Sequence, residues 1–262
     1  MTFLVFAVGV TALFFISSLL LLNFGRWLGL RHMAKHGVET MTGLPTIEGA
    51  VFALIGLLLA FTISGALQRF DERRQLVVQE ANAIATAYDR LALLGADAGD
   101  LQAKLKDYTK ARVTLYEMPH DFSLWERAEI WPPEQLAKIE GLERKLWDAT
   151  VAACPSSNYR PPCALALTAI NTAFEVARLR AGAAEKHPPQ IVYTMLFGLG
   201  LGGSVLAGFG MAASRSWVHM LMFAATLSVT LYAITDMEFP RLGLIQVVGF
   251  DHFLADVYDQ MR

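Results

Sequence analysis

The stretch GALQRFDERRQLVVQEANAIATAYDRL, residues 65–91, carries Arg69, Asp71, Glu72, Arg73, Arg74 and Glu80 behind an apolar run, with no turn residue between them. Charges so close to hydrocarbon form either a solvated collar at a membrane surface or part of a path for ions. As a collar, Arg69, Arg73 and Arg74 raise the local anion concentration at a mouth, and Asp71 and Glu80 anchor them. Further along, Asp236 and Glu238 close another apolar run, and Glu48 opens one. At span ends such carboxylates are ordinarily interfacial. Facing a bundle interior they would mark an ion path, and the sequence leaves both readings open.

GLGLGG at 198–203 has the spacing of the G-x-G-x-x-G dinucleotide fingerprint, but it lies inside an apolar run and lacks the preceding strand. Close helix packing explains it better. Gly198 and Gly202 are four apart, as are Gly200, Ser204 and Gly208, which makes two small-residue faces. A homo-oligomer or a tight intramolecular pair follows. Cys154 and Cys163 bracket the turn-rich CPSSNYRPPC. Their closeness suggests a disulfide in an oxidising compartment; two unpaired thiols in a cytosolic loop are the alternative. His32 and His36 are four apart but have no Glu between them and no third ligand, so no metal is expected. His120, His187, His219 and His252 are scattered, and no nucleophile elbow, phosphate loop or carboxylate pair stands out. We therefore expect no catalytic residue, no cofactor and no enzyme.

The elements that hold these residues are helices in a bilayer. The chain has 262 residues, 54% of them hydrophobic, and a net charge of −2, which argues against nucleic acid as a partner. Four apolar blocks approach or exceed the roughly 20 residues that a spanning helix needs: 3–24, 50–67, 191–213 and 217–235. Met1-Thr2 supplies no positive charge for a signal peptide, so the first block is read as a retained helix. Residues 68–190 between the hairpins read as soluble helix. Phe70, Val77, Ile84 and Leu91 recur every seven residues, and Leu101, Leu105, Tyr108 and Leu115 repeat the stripe after the break GADAGD at 95–100. WPPEQL opens a third helix with Leu136, Ile139, Leu142, Leu146 and Trp147 as its apolar positions. A fourth runs from about Pro162 to Glu185 through Leu165, Ile170, Ala173, Phe174 and Val176. Arg73 and Glu80, one heptad apart beside the first stripe, are the candidates for a buried interaction.

The expected fold is an all-α membrane protein with four transmembrane helices and a helical bundle domain inserted between the second and third. Its expected parts are a first transmembrane hairpin (1–67), an extramembrane bundle (68–190), a second hairpin (191–235) and an interfacial C-terminal tail (236–262), in which LIQVVGF lies at the interface or packs on the bundle. Orientation signals conflict. Arg26, Arg31 and Lys35 after the first span place that loop in the cytoplasm and the bundle in the periplasm, as the cysteine pair does. Arg69, Arg73, Arg74, Arg178, Arg180 and Lys186 at the bundle's junctions outnumber those three plus Arg215 and pull the other way. The bundle is expected on the periplasmic side.

RFDERRQLVVQEANAIATAY after the second span and ITDMEFPRLGLIQV after the fourth together resemble a bacterial membrane family of unknown function known as bestrophin-like. The matching positions are Arg69, Asp71, Arg73, Arg74, Glu80, Ala81, Asn82 and Ile84, then Asp236, Pro240 and Gly243, within a resemblance from about Glu48 to Val248. Bestrophins proper are pentameric anion channels with a cytosolic helical domain. The resemblance thus implies a homo-oligomeric ion channel or channel-like protein that passes inorganic ions and has the lipid bilayer as its surroundings. The alternative is a membrane-anchored helical interaction or sensor protein with no transport activity. A channel needs polar or small residues along a central path, whereas an anchor packs its axis with Leu, Ile and Phe.

Overall fold

The computed structural model describes residues 3–37, 44–118, 121–122, 129–154, 161–213 and 216–261. Eight α-helices follow one another along it: α1 (Phe3–His36), α2 (Leu44–Leu91), α3 (Ala98–Glu117), α4 (Pro133–Ala152), α5 (Pro161–Glu185), α6 (Gln190–Gly210), α7 (Trp217–Glu238) and α8 (His252–Gln260). Among the described residues, strand pairing is limited to two residues each of β1 (Asp121–Phe122) and β2 (Glu129–Ile130), antiparallel with Asp121 opposite Ile130. Arg215, His120 and the loop between the two cysteines lie outside the described residues.

Helix ends follow local chemistry. α1 continues twelve residues past the expected span end at 24 and stops at Gly37, whose φ of 81° suits glycine and whose N–H bonds the Met33 carbonyl at 2.9 Å. α2 has no proline after its first turn and runs for 48 residues, about 72 Å of helix. It gives way to a 3-10 turn, Ala92–Asp97, where Gly95 takes φ 73°. α4 opens with Pro132 as its cap and Pro133 in its first turn. Four stretches of helix are long and apolar enough to cross a membrane, and they lie in α1, α2, the segment from α5 to α6, and α7.

The chain divides into two compact units. The first comprises residues 1–68 and 187–244 and contains the apolar spans. Its central seam is α1 against α6. A Cβ on Gly25 would overlap the Val205 carbonyl, and one on Gly208 the Leu22 carbonyl, so only glycine lets the two backbones come this close. Ser204 is fully buried in the seam and bonds the Gly200 carbonyl at 2.9 Å. Gly200 lies under the Phe14 ring. α7 completes the apolar packing through Met220, Ala224, Leu231 and Ile234.

The second unit comprises residues 69–186 and 245–262. Its core gathers Ile84 and Leu91 from α2, Leu101, Leu105, Tyr108 and Leu115 from α3, Ile139 and Leu146 from α4, and Ile170 and Phe174 from α5. Leu254 of α8 and Met261 enter the same core, so the final segment packs on this unit. Not every expected apolar position is inside. Leu136, Trp147 and Leu165 are exposed. Trp147 follows the buried Leu146 and is thus turned about 100° around the helix from it. Replacing Gly208 with Leu should wedge α1 from α6 and lower stability in detergent by about 3 kcal/mol, the upper range of overpacking. Gly9→Ala, whose Cβ meets nothing within 4 Å, should not lower the unfolding midpoint.

Candidate functional site

Glu80 is the charged centre of the second unit, with no exposed surface. The heptad that places Arg73, Glu80 and Ala87 beside the apolar stripe of α2 turns all three inward. One Glu80 oxygen accepts from Arg112 Nε of α3 at 2.7 Å, and the other from Arg180 Nη1 of α5 at 2.8 Å. Arg112 Nη2 also donates to the Tyr116 hydroxyl at 2.6 Å. Arg180 stacks 3.4 Å over the Tyr116 ring and donates through Nη2 to Asp251, which leads into α8. Two guanidinium groups thus meet two carboxylates, and the cluster is neutral overall. Burial by itself would raise the Glu80 carboxyl, but the charges and hydrogen bonds of Arg112 and Arg180 outweigh it and hold it below the usual carboxylate range. Nearby, the Tyr108 hydroxyl lies 3.4 Å from Glu143, whose carboxyl burial pushes up against the pull of Arg178 and Arg112.

Arg73 and Glu80 are both buried, but each has other partners. Arg73 donates from Nε to the Ala183 carbonyl at 3.0 Å and from Nη2 to the Lys186 carbonyl at 2.9 Å. It thereby satisfies the carbonyls at the C-terminal end of α5, where a positive charge also complements the helix dipole. Arg74 pairs with Asp71 at 3.2 Å and covers the Phe250 ring at 4.3 Å. Lys186 pairs with Glu72 at 2.9 Å. Arg69 is partly exposed and Asn82 is exposed on α2.

In the first unit, Asp236 and Glu238 are both fully buried. Asp236 accepts from the Leu244 N–H with both oxygens, at 2.9 and 3.0 Å, and from the Tyr232 hydroxyl at 3.1 Å. A Cβ at Gly243 would strike that carboxylate, and Pro240 is buried in the turn between them. Asp236, Pro240 and Gly243 together therefore close the turn that ends α7. His187 stacks on Phe239 at 4.9 Å, with Nδ1 3.6 Å from Glu238.

The model of the family described as Bestrophin-like domain matches residues 14–249. The chain belongs to the bestrophin-like family. Two crystal structures share the fold, each with a TM-score of 0.62 and each aligned over 94% of this chain and 99% of the other. One is of a membrane protein, 14% identical, and the other is of a bacterial bestrophin homologue from Klebsiella pneumoniae, 13% identical. At such identity the likeness concerns the fold alone. No curated protein matches the chain.

In this bestrophin-like chain each motif segment serves its own unit. The first supplies Arg73 and Glu80 to the interior of the second unit, and the last ties off a helix in the first. Of the glycine faces, Gly200, Ser204 and Gly208 meet α1, whereas Gly198 and Gly202 have no neighbour within 4 Å of a Cβ. Cys154 and Cys163 are paired, their Cα atoms 5.7 Å apart. The His32 and His36 rings lie 4.9 Å apart, and among the described residues no three potential metal ligands come together. Sequence reading missed Arg112, Tyr116 and Asp251 and took Arg180 for a junction charge. A signal for Arg112 was present: positions 101, 105, 108, 112 and 115 form one stripe, and its fourth member is the arginine.

Removing the Glu80 charge should strand two buried guanidinium groups, so Glu80→Gln is expected to cost about 3–5 kcal/mol. The folded carboxyl titrates below its unfolded value, so its contribution is complete above the ordinary glutamate range and lost as pH falls through the folded value. Unfolding curves of the wild type and E80Q should therefore draw together only as the pH falls below the ordinary glutamate range.

Proposed function

We propose that this chain is the protomer of a homo-oligomeric ion channel or channel-like protein in the bacterial plasma (inner) membrane, passing inorganic ions. The observation that carries this reading is the outward stripe of α2. Leu57, Phe61, Ser64, Gln68, Asp71, Gln75, Gln79 and Asn82 recur at three- and four-residue steps, and all are exposed. Among the described residues no element covers them, and uncharged amides and small hydroxyls are what an ion path needs beside its charges. Around the outer part of the stripe, Asp71, Arg74, Gln75, Val78, Gln79 and Phe250 line an open concavity of about 490 Å³. Phe61, 68% exposed, and Leu57 would form the apolar constriction, where a narrow pore closes by losing its water. Gly198 and Gly202 would supply the close helix contact between protomers.

In this reading the collar changes membership. Arg73 and Glu80 hold the bundle together, while Arg69, Asp71, Arg74 and Asn82 remain toward the path. The second unit is the extramembrane domain, inserted between the second and third spans and facing the periplasm, where the Cys154–Cys163 pair would form. The apolar inner half of the same stripe favours a second reading, an anchored helical interaction or sensor module whose axis is packed shut.

Verified oligomers reconstituted in liposomes should pass ions, and Phe61→Ser should increase the flux several-fold. Silence at all voltages and pH values, in the variant as well, would favour the anchored module. In intact cells an impermeant thiol reagent should label Cys154 and Cys163 only after reduction. Labelling that requires permeabilised cells would place the bundle in the cytoplasm.

A further inference from the structure

The last three turns of α1 have no assigned role. The apolar run ends at Phe24, and the helix continues to His36, about 18 Å further along its axis. The zone of lipid headgroups is only about 5–8 Å deep on each side, so Arg26, about 3 Å past Phe24, lies at its level, while Arg31 and Lys35, about 10 and 16 Å past it, reach back with their long stems. Phe24, Trp27, Arg31 and Lys35 recur at three- and four-residue steps and are all exposed. They face away from Gly25 and Gly29, which are buried against α6. Phe24 and Trp27 stack at 5.8 Å, and the Arg31 guanidinium lies 3.8 Å over the Trp27 ring. Trp217, at the start of α7, adds a second indole at this end of the spans and is 69% exposed.

The charge here is one-sided. Among the described residues Arg26, Arg31 and Lys35 have no carboxylate partner, and Arg26 Nε is buried without a hydrogen bond. Glu48, the acidic residue described at this end, has its carboxylate against Gly210 instead. An aromatic shelf at the hydrocarbon edge with unmatched cations above it fits one chemistry, a chain-bearing phosphodiester. We propose that Trp27, Arg31 and Lys35, flanked by Arg26, form a headgroup site selective for anionic phospholipids over zwitterionic ones. The stacked Trp27 holds the Arg31 fork in place, Phe24 and Trp27 lie along the upper acyl chain, and Lys35 closes over the phosphate from outside. The site requires only that α1 spans the bilayer and is independent of ion passage.

The test uses the full-length protein in detergent micelles doped with phosphatidylglycerol, or with phosphatidylcholine of the same chains. The readouts are co-purified lipid by mass spectrometry and the shift in unfolding midpoint. Phosphatidylglycerol should be retained preferentially and raise the midpoint. Lys35→Gln should weaken its retention about fivefold, and R31Q/K35Q about 25-fold, at roughly one ion contact per cation. The exposed bundle variant K110Q/R144Q/K145Q should retain it as the wild type does. K35Q alone decides if the double variant does not fold. Equal retention of the two lipids, equal loss in the bundle variant, or displacement by millimolar inorganic phosphate would overturn the proposal.

Discussion

The second unit depends on one buried carboxylate. Glu80 alone would be driven to its neutral form by the absence of water, and Arg112 and Arg180 alone would repel each other. Together they satisfy one another and join α2, α3 and α5 at one point, and Arg180 extends the connection to Asp251 and the final helix. A buried network of this kind adds little stability compared with a well-packed apolar core, but it tolerates only one arrangement of its helices. It therefore specifies register, which the apolar stripes of Ile84, Leu105 and Ile170 could otherwise satisfy in several ways. Arg73 does comparable work at the end of α5, where its guanidinium occupies carbonyls that no further helical turn could use.

The first unit is held by the opposite means. Apolar side chains gain little from leaving lipid for each other, so association of the spans has to come from close approach and from the few polar groups available. α1 and α6 achieve it by omitting side chains at Gly25, Gly29 and Gly208, with Ser204 bonded to its own helix inside the seam. Where α7 ends, Asp236 holds the Leu244 amide, and Gly243 leaves room for it. A motif that reads as an acid at a span end followed by turn residues is thus a device for stopping a helix. In the same way, the first motif divides between residues that secure the bundle, Arg73 and Glu80, and residues that stay on the surface of α2, Asp71 and Asn82.

The sequence by itself determined the helical class, four spans, the apolar stripes and the family, because each rests on local periodicity or on contiguous apolar length. It also showed that Arg73 and Glu80 face the same way as the stripe, since a heptad fixes direction. Partners were another matter. Glu80 and Arg180 are separated by 100 residues, and spacing along one helix cannot say which residue of another helix will meet it. Likewise, GLGLGG offered two small-residue faces with equal claim to a partner, and only the tertiary structure decided that Gly200 and Gly208 meet α1 while Gly198 and Gly202 stay open. Periodicity states which side of a helix is buried, and packing in three dimensions decides against what.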